Sequence, residues 1–543
     1  MSFARSPRRA LRRLMTVLRP TLFSTAACAA TAALAAPAAV CTAPIAAVNT
    51  SAAVANVGTG TAASCTEAAL RAAVLSASTI KFDCGAAPAT IAITSQIDIP
   101  TDRNIVIDGG GKVTLDGGGR TRILSVDREN FRTSRIGLTL QHITLANGKA
   151  AGTRYVAPNA GNASCAYGWA DGGGGAVYVR DSVLHAIDVT FRKNAAETPG
   201  PDVGGGAIYA VASLDVTVVG STFDGNSGAN GGAVGLLQSD GRFVNDLFQN
   251  NAASGTGANF VGGAAAGCPG VAQANQGGAG GNGGALAIDG GSDGAQLVCG
   301  STFTANAAGE FGGALFRTPD GTPRQTTIDR TLMQTNRAKK GGALYVQNSK
   351  PLVITASTLA GNTAVSAGAA DLIGDRLNVI NSTFANNTAT LGVGGALVVS
   401  GSDASGFIRN ATFSGNQSTG GPGYFSAAIF GTLAFPVTNT VFANNLSKDA
   451  GSPMQCGFAA GSGSADMQWP QKRPVGGLAD TACVSGIRFV DPQLGAIGSH
   501  GGPTPTVAPA TTSPLRNAGT NCPATDQRGV ARNTAHCTIG AVE

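Results

Sequence analysis

Nine apolar side chains between residues 191 and 445, recurring at a near-regular period, each stand three positions before an asparagine, and this repeat constrains the fold more than any other feature of the chain. Phe191, Phe223, Phe248, Phe303, Phe384, Phe413 and Phe442 precede Asn194, Asn226, Asn251, Asn306, Asn387, Asn416 and Asn445, while Met333 with Asn336 and Leu359 with Asn362 complete the series. Successive asparagines are 32, 25, 55, 30, 26, 25, 29 and 29 residues apart, with 55 close to two periods. A second unit, Gly-Gly-Ala followed by an aliphatic residue, alternates with the first at Gly174, Gly205, Gly231, Gly283, Gly312, Gly341 and Gly394. A fixed period of this size predicts a solenoid.

Each period holds short β-branched runs, such as Leu214 to Val219, Leu352 to Thr355 and Leu377 to Ile380, separated by Gly, Asn or Pro turn signals. Equivalent strands of successive rungs must run parallel, and crossover handedness favours a right-handed coil. The fold class expected is therefore all-β, a right-handed parallel β-helix over residues 90–450. Roughly 12 to 13 rungs at a strand spacing of about 4.8 Å give a length of about 60 Å. The phenylalanines stack inside, the paired glycines permit positive φ at a tight corner, and the aligned asparagines satisfy turn groups that burial would leave unpaired. A further polar column at Asp188, Asn245, Asn381, Asn410 and Asn439, three residues before the aromatic position, marks another corner.

Open solenoid ends need caps. Ser64-Cys65-Thr66-Glu67 has capping-box spacing ahead of Leu70, Ala73, Val74 and Ala77. A short amphipathic helix over 66–77 is therefore expected within an N-terminal cap, residues 39–89. Residues 451–543, without the repeat but with four cysteines, are expected to close the other end.

Residues 1–38 carry Arg5, Arg8, Arg9, Arg12, Arg13 and Arg19, no acid, and an Ala-rich uncharged stretch with small-residue cleavage options. They read as an export signal, with Arg8-Arg9 allowing the twin-arginine route. A retained membrane anchor is disfavoured by Pro37, Pro44 and the scarcity of leucine. These six arginines account for the whole formal net charge of +6, so the remainder is formally neutral and nucleic acid is not an expected partner. Of eleven cysteines, Cys28 leaves with the signal and ten remain, an even set that points to disulfides in an oxidising compartment. Proximity in sequence pairs Cys65 with Cys84, Cys268 with Cys299, Cys456 with Cys483 and Cys522 with Cys537, leaving Cys41 and Cys165 unassigned; Cys165 with Cys268 is an equal alternative. No Cys-x-x-Cys spacing and only four histidines argue against a metal centre.

Insertions fall at one corner, between Asn147 and Gly174, Asn194 and Gly205, and Asn251 and Gly283. The first carries Tyr155, Tyr167 and Trp169, whose ring faces suit stacking on sugars; the alternative is that they pack their own loop. Asp171 and Asp202 each lie five residues before the Ala of a Gly-Gly-Ala unit and should stack on adjacent rungs. Such a pair can share a proton, bind Ca²⁺ or act as acid and nucleophile, or the two are independent turn aspartates facing water. His142 and His185 stand isolated in strand runs, His500 and His536 lie in the tail, and Asp108 and Asp116 open glycine-rich turns with no helix behind them to bind phosphate.

The two alternating units over residues 172–445 resemble the repeats of chlamydial polymorphic outer-membrane proteins and of pectin-lyase-like β-helices. The tail resembles the choice-of-anchor Q domain through Asp491-Pro492-Gln493-Leu494-Gly495, Gly501-Gly502-Pro503-Thr504-Pro505-Thr506, Asp526-Gln527-Arg528-Gly529 and Cys537-Thr538-Ile539-Gly540. The resemblance implies a bacterial extracellular or cell-surface protein, with the periplasm as an alternative, in a structural or adhesive role that meets glycans or another surface ligand. The translocating barrel of the first family and the sorting signal of the second are not matched here, so neither barrel nor covalent anchoring is expected, and no membrane span follows removal of the signal. The second functional reading is a polysaccharide lyase or glycoside hydrolase acting on acidic polysaccharide through Asp171 and Asp202. No cofactor other than the Ca²⁺ alternative is expected.

Overall fold

The computed structural model describes residues 39–52, 55–150, 155–156, 166–167, 172–198, 203–256, 280–319, 324–401, 403, 405–431, 433, 435–449, 451–457, 462–474 and 476–543. All of them belong to one compact unit, a parallel β-solenoid of four sheets with 14, 14, 11 and 8 strands. The residues expected to form the export signal, 1–38, lie outside the described residues. Among the described residues no helix is long and apolar enough to cross a membrane.

One rung shows how sequence becomes coil. From the corner Gly205-Gly206-Ala207 the chain passes through Ile208–Val211 in sheet C, Val216–Val219 in sheet A, Thr222–Asp224 in sheet B and Ser227–Gly228 in sheet D. It then reaches the next glycine pair at Gly231. Ile208, Ala210, Val216, Val218 and Phe223 point inward and are fully buried. Gly205 has φ +63°, and an added Cβ there would sit 1.7 Å from the Ile208 carbonyl oxygen, so this corner requires glycine.

Inside, two columns fix the register. Phe191, Phe223, Phe248 and Phe303 stack with centroids 4.7, 4.6 and 4.5 Å apart, and Phe384, Phe413 and Phe442 resume the stack at 4.8 and 5.2 Å. Met333 and Leu359 fill the intervening register positions. Beside them, each asparagine of the column donates from Nδ2 to the Oδ1 of the next and to a backbone carbonyl, except that the last, Asn445, donates to Gln455 Oε1 and the Phe413 carbonyl. Asn306, for example, donates to Asn336 Oδ1 at 3.0 Å and to the Phe248 carbonyl at 3.0 Å, while its own Oδ1 accepts from Asn251 N and Nδ2. Asn251 therefore touches Asn306 directly. The spacing of 55 between them is one rung with a long insertion, not two rungs.

At the first end the helix α1, Glu67–Ser76, buries Leu70, Ala73 and Val74. Its N-cap is Thr66, which accepts from Ala69 N, rather than the Ser64 of the apparent capping box. Glu67 instead pairs with Arg71 at 2.6 Å and accepts from Thr94, so the motif is spent on tying the helix to the following rung.

The corner between sheets A and B carries the second polar column, and its residues do adopt positive φ: Asp188 +52°, Asn245 +60°, Asn381 +46°, Asn410 +51° and Asn439 +51°. Both terminal segments lie along it. Cys41 and Val40 donate their backbone N–H to Asn245 Oδ1 at 2.9 Å, Val48 exchanges two hydrogen bonds with Gln141, and Thr50 donates to Asp108 at 2.7 Å. The C-terminal residues continue the cover: Thr358 donates to the Pro505 carbonyl, Asn381 to that of Thr525 and Asn439 to that of Thr520. Residues 462–489 still add strands to sheets A and B, and Val484 packs into the core, whereas the chain beyond Asp491 returns along the flank.

Disulfides join Cys65 to Cys84, Cys456 to Cys483 and Cys522 to Cys537. Cys299 is joined to Cys41, not to Cys268 as proximity in sequence suggested. Docking of the N-terminal segment along the corner brings residues 258 positions apart within reach, a relation that no local spacing reveals. Cys165 and Cys268 lie outside the described residues.

Candidate functional site on the outer face of sheet C

The strand that follows each Gly-Gly-Ala corner sends its first and third residues inward and its second outward. Parallel register therefore aligns one outward row, Tyr178, Tyr209, Gly235, Ala287, Phe316, Tyr345, Asp371, Val398 and Phe430. Aromatic side chains hold five of these nine positions, in a chain with only 5% aromatic residues overall. The three corner insertions each precede a strand of this row in the chain, those of Tyr178, Tyr209 and Ala287.

Within the row, Tyr178 and Tyr209 are 6.2 Å apart at 50°, with the Arg122 guanidinium 4.9 Å from the Tyr178 ring. Tyr209 leans over Gly235, where an added Cβ would lie 2.9 Å from the ring. With glycine and then alanine at the next two positions, a cleft of about 30 Å³ opens between Tyr209 and Phe316, floored by Gly235 and Ala287 and edged by Asn230 and Asp289. Beyond it Phe316 stacks on Tyr345 at 5.5 Å and Tyr345 on Phe311 at 4.6 Å, and Lys340 Nζ lies 5.7 Å from the Phe311 ring. Burial raises the Asp371 carboxyl to about 6 against the opposing charge of Lys340. Burial, aided by Asp371, lifts the Tyr345 phenol to about 12. Tyr178, Tyr209, Phe316 and Tyr345 are all buried, between 1% and 8% exposed, and pack in two small clusters outside the solenoid core, so only the water-sized cleft with its amide and carboxyl rim opens between them.

Of the residues singled out in the sequence, Tyr155 and Tyr167 are backbone register partners in a short antiparallel pair, Tyr155–Val156 with Ala166–Tyr167. That pair belongs to the insertion preceding the Tyr178 strand, so its chain leads onto the sheet-C face. Trp169, Asp171 and Asp202 lie outside the described residues. Tyr178, Tyr209, Phe316 and Tyr345 escaped the sequence reading although the signal was present: each stands two residues after the Ala of a Gly-Gly-Ala unit.

The histidines expected to be isolated each have acid partners. His185 meets Asp215 at 3.2 Å, which also takes Arg242 at 2.8 Å and the Thr217 hydroxyl at 2.6 Å. Burial pushes the Asp215 carboxyl up, but the His185 and Thr217 hydrogen bonds and the Arg242 charge outweigh it and hold it at about 2. His142 bridges Asp108 at 3.1 Å and Asp188 at 3.7 Å. Asp108 is likewise held below its ordinary value, burial being outweighed by hydrogen bonds from Thr50, Gly110, Gln141 and His142. Carboxylates so stabilised in the charged form are poor general acids. Pattern searches could not find these pairs, since their members are 30 and 34 residues apart and meet only across rungs.

No protein-family model matches this chain. No curated protein matches it either. Among solved structures, it is similar to the crystal structure of PfbA, a surface adhesin of Streptococcus pneumoniae, with 11% identity over 84% of this chain and 96% of that one and a TM-score of 0.37. A superposition at that score carries no argument about function.

Proposed function

We propose that this chain is an exported, non-catalytic scaffold that binds glycan along the outer face of sheet C. The observation that carries the reading is the outward row of aromatic rings interrupted by a cleft at Gly235 and Ala287. The rings pack in their own buried clusters outside the solenoid core, Tyr178 with Tyr209 and Phe316 with Tyr345, and flank the cleft on either side. Four disulfides support export to an oxidising compartment, at the cell surface or beyond it. Tyr155, Tyr167 and Trp169 belong to the loop that leads to this face and would extend the contact. The lyase or hydrolase reading through Asp171 and Asp202 gains no support from the His-paired carboxylates, which are committed to their partners.

The test is retention of the purified chain on a panel of immobilised polysaccharides, with product release measured in parallel. We expect retention on at least one glycan, loss of it in Ala287→Trp, which fills the cleft, and weakening in Trp169→Ala, with no depolymerisation. Turnover that Asp171→Ala or Asp202→Ala abolishes overturns the non-catalytic reading, and absence of retention on every glycan overturns the binding reading.

A further inference from the structure

The aromatic row ends against a strand unlike its neighbours. Sheet D is assembled from Ser227–Gly228, Ala252–Ala253, Ala307–Ala308, Arg337–Lys340, Thr363–Ser366, Thr388–Ala389, Gln417–Ser418 and Leu446–Ser447. Seven of these strands are uncharged, whereas Arg337–Lys340 presents Arg337, Lys339 and Lys340, all exposed. Lys339 is engaged by Glu310 at 2.6 Å. Arg337 makes no ion pair with any described residue, and Lys340 stands over Phe311, the last ring of the stack that leads from the cleft through Phe316 and Tyr345. The bridge between Phe311 and Lys340 fixes this cation at the corner where sheets D and C meet.

Phe316 and Tyr345 are buried and Phe311 only partly so, hence the ring face open beside these exposed cations is that of Phe311, and such a site specifies two properties of one ligand: an apolar ring face and a negative substituent next to it. Rungs spaced by about 4.8 Å step at close to the length of one sugar unit. The cations are exposed, so they meet an anion without the cost of burying an unpaired charge. A nucleic acid would need basic residues tracking its backbone over many phosphates, and this stripe is one strand wide.

We infer that Lys340, over the Phe311 ring, and Arg337 on the same strand form the anion-recognising end of the sheet-C face, and that the ligand is a carboxylated or sulfated polysaccharide rather than a neutral one. The inference rests on the glycan reading above.

It is tested with the full chain on polygalacturonate, its carboxyl-reduced neutral form, dextran sulfate, unsubstituted dextran and poly-glutamate. At least one acidic polysaccharide should bind about tenfold more tightly than its neutral counterpart, with affinity falling as salt rises. The double variant Arg337→Ala, Lys340→Gln should remove about that factor while thermal unfolding is unchanged, since both side chains are exposed. Equal binding of acidic and neutral forms, lost in Ala287→Trp, overturns this inference and leaves the glycan reading standing. Poly-glutamate bound as tightly as polygalacturonate overturns it too, by reducing the stripe to a general polyanion patch. No binding to any polysaccharide fails the glycan reading itself.

Discussion

A buried amide costs free energy unless every donor and acceptor finds a partner, and the asparagine column meets that condition by making each rung complete the one before it. Truncating one member strands groups on both sides. Asn306→Ala removes the acceptor of Asn251 and the donor to Phe248 and Asn336, so we expect a loss of about 2–4 kcal/mol in urea unfolding. The exposed Asn130→Ala should stay within about 0.5 kcal/mol of the parent. Asp466 tests the same logic with a titrating group. Burial raises its carboxyl to about 8, because Oδ1 accepts from Thr440 N but Oδ2 has no hydrogen-bond partner. The raised value means that folding takes up a proton. Its contribution is therefore favourable at low pH and is lost as pH rises from the unfolded value near 4 through about 8. Asp466→Asn should abolish an alkaline loss of about 5 kcal/mol between pH 4 and 9, read from unfolding curves at both pH values. At this scale the interior was legible in the sequence, since Phe-x-x-Asn names both columns. Asp466 was not, because its burial depends on the turn in which it falls.

Strands and corners were also foreseeable, because glycine pairs and β-branched runs are local signals. The terminal segments were not. Nothing in residues 40–50 announces that they will lie on Asn245, Gln141 and Asp108, and nothing in the tail names Asn381 and Asn439 as its docking points. The corner column at Asp188, Asn245, Asn381, Asn410 and Asn439 was visible as a pattern, yet its role as a row of hooks depends on chain that arrives from elsewhere. We expect Cys41→Ser to release the N-terminal segment: limited proteolysis should cut within 40–50 while the rungs stay resistant, with about 2–4 kcal/mol lost in unfolding. Unchanged protection of 40–50 would show that the hydrogen bonds to Asn245 and Gln141 hold the segment without the disulfide. Asn439→Ala, which loses bonds to both the N–H and the carbonyl of Thr520, should raise hydrogen exchange around residues 518–522 and leave the sheet strands protected.

For the whole molecule, division of labour among faces is the main result. The A–B corner is covered by the chain's own ends, sheet A carries closed ion pairs such as that of Arg242 and Asp215, and sheet C carries the aromatic row. The sequence reading drew the site from the insertion at one corner, through the loop residues Tyr155, Tyr167 and Trp169. The strand residues of sheet C follow a rule that becomes visible only when strands are stacked in register. Hydrogen exchange with and without a retained polysaccharide tests the central claim most directly. The account predicts added protection in Ile208–Val211, Leu286–Asp289, Leu315–Thr318 and Leu344–Gln347, and none in the sheet-A strands Val183–Ile187 and Val216–Val219. Protection centred on His185 and Asp215, with sheet C unchanged, would contradict it.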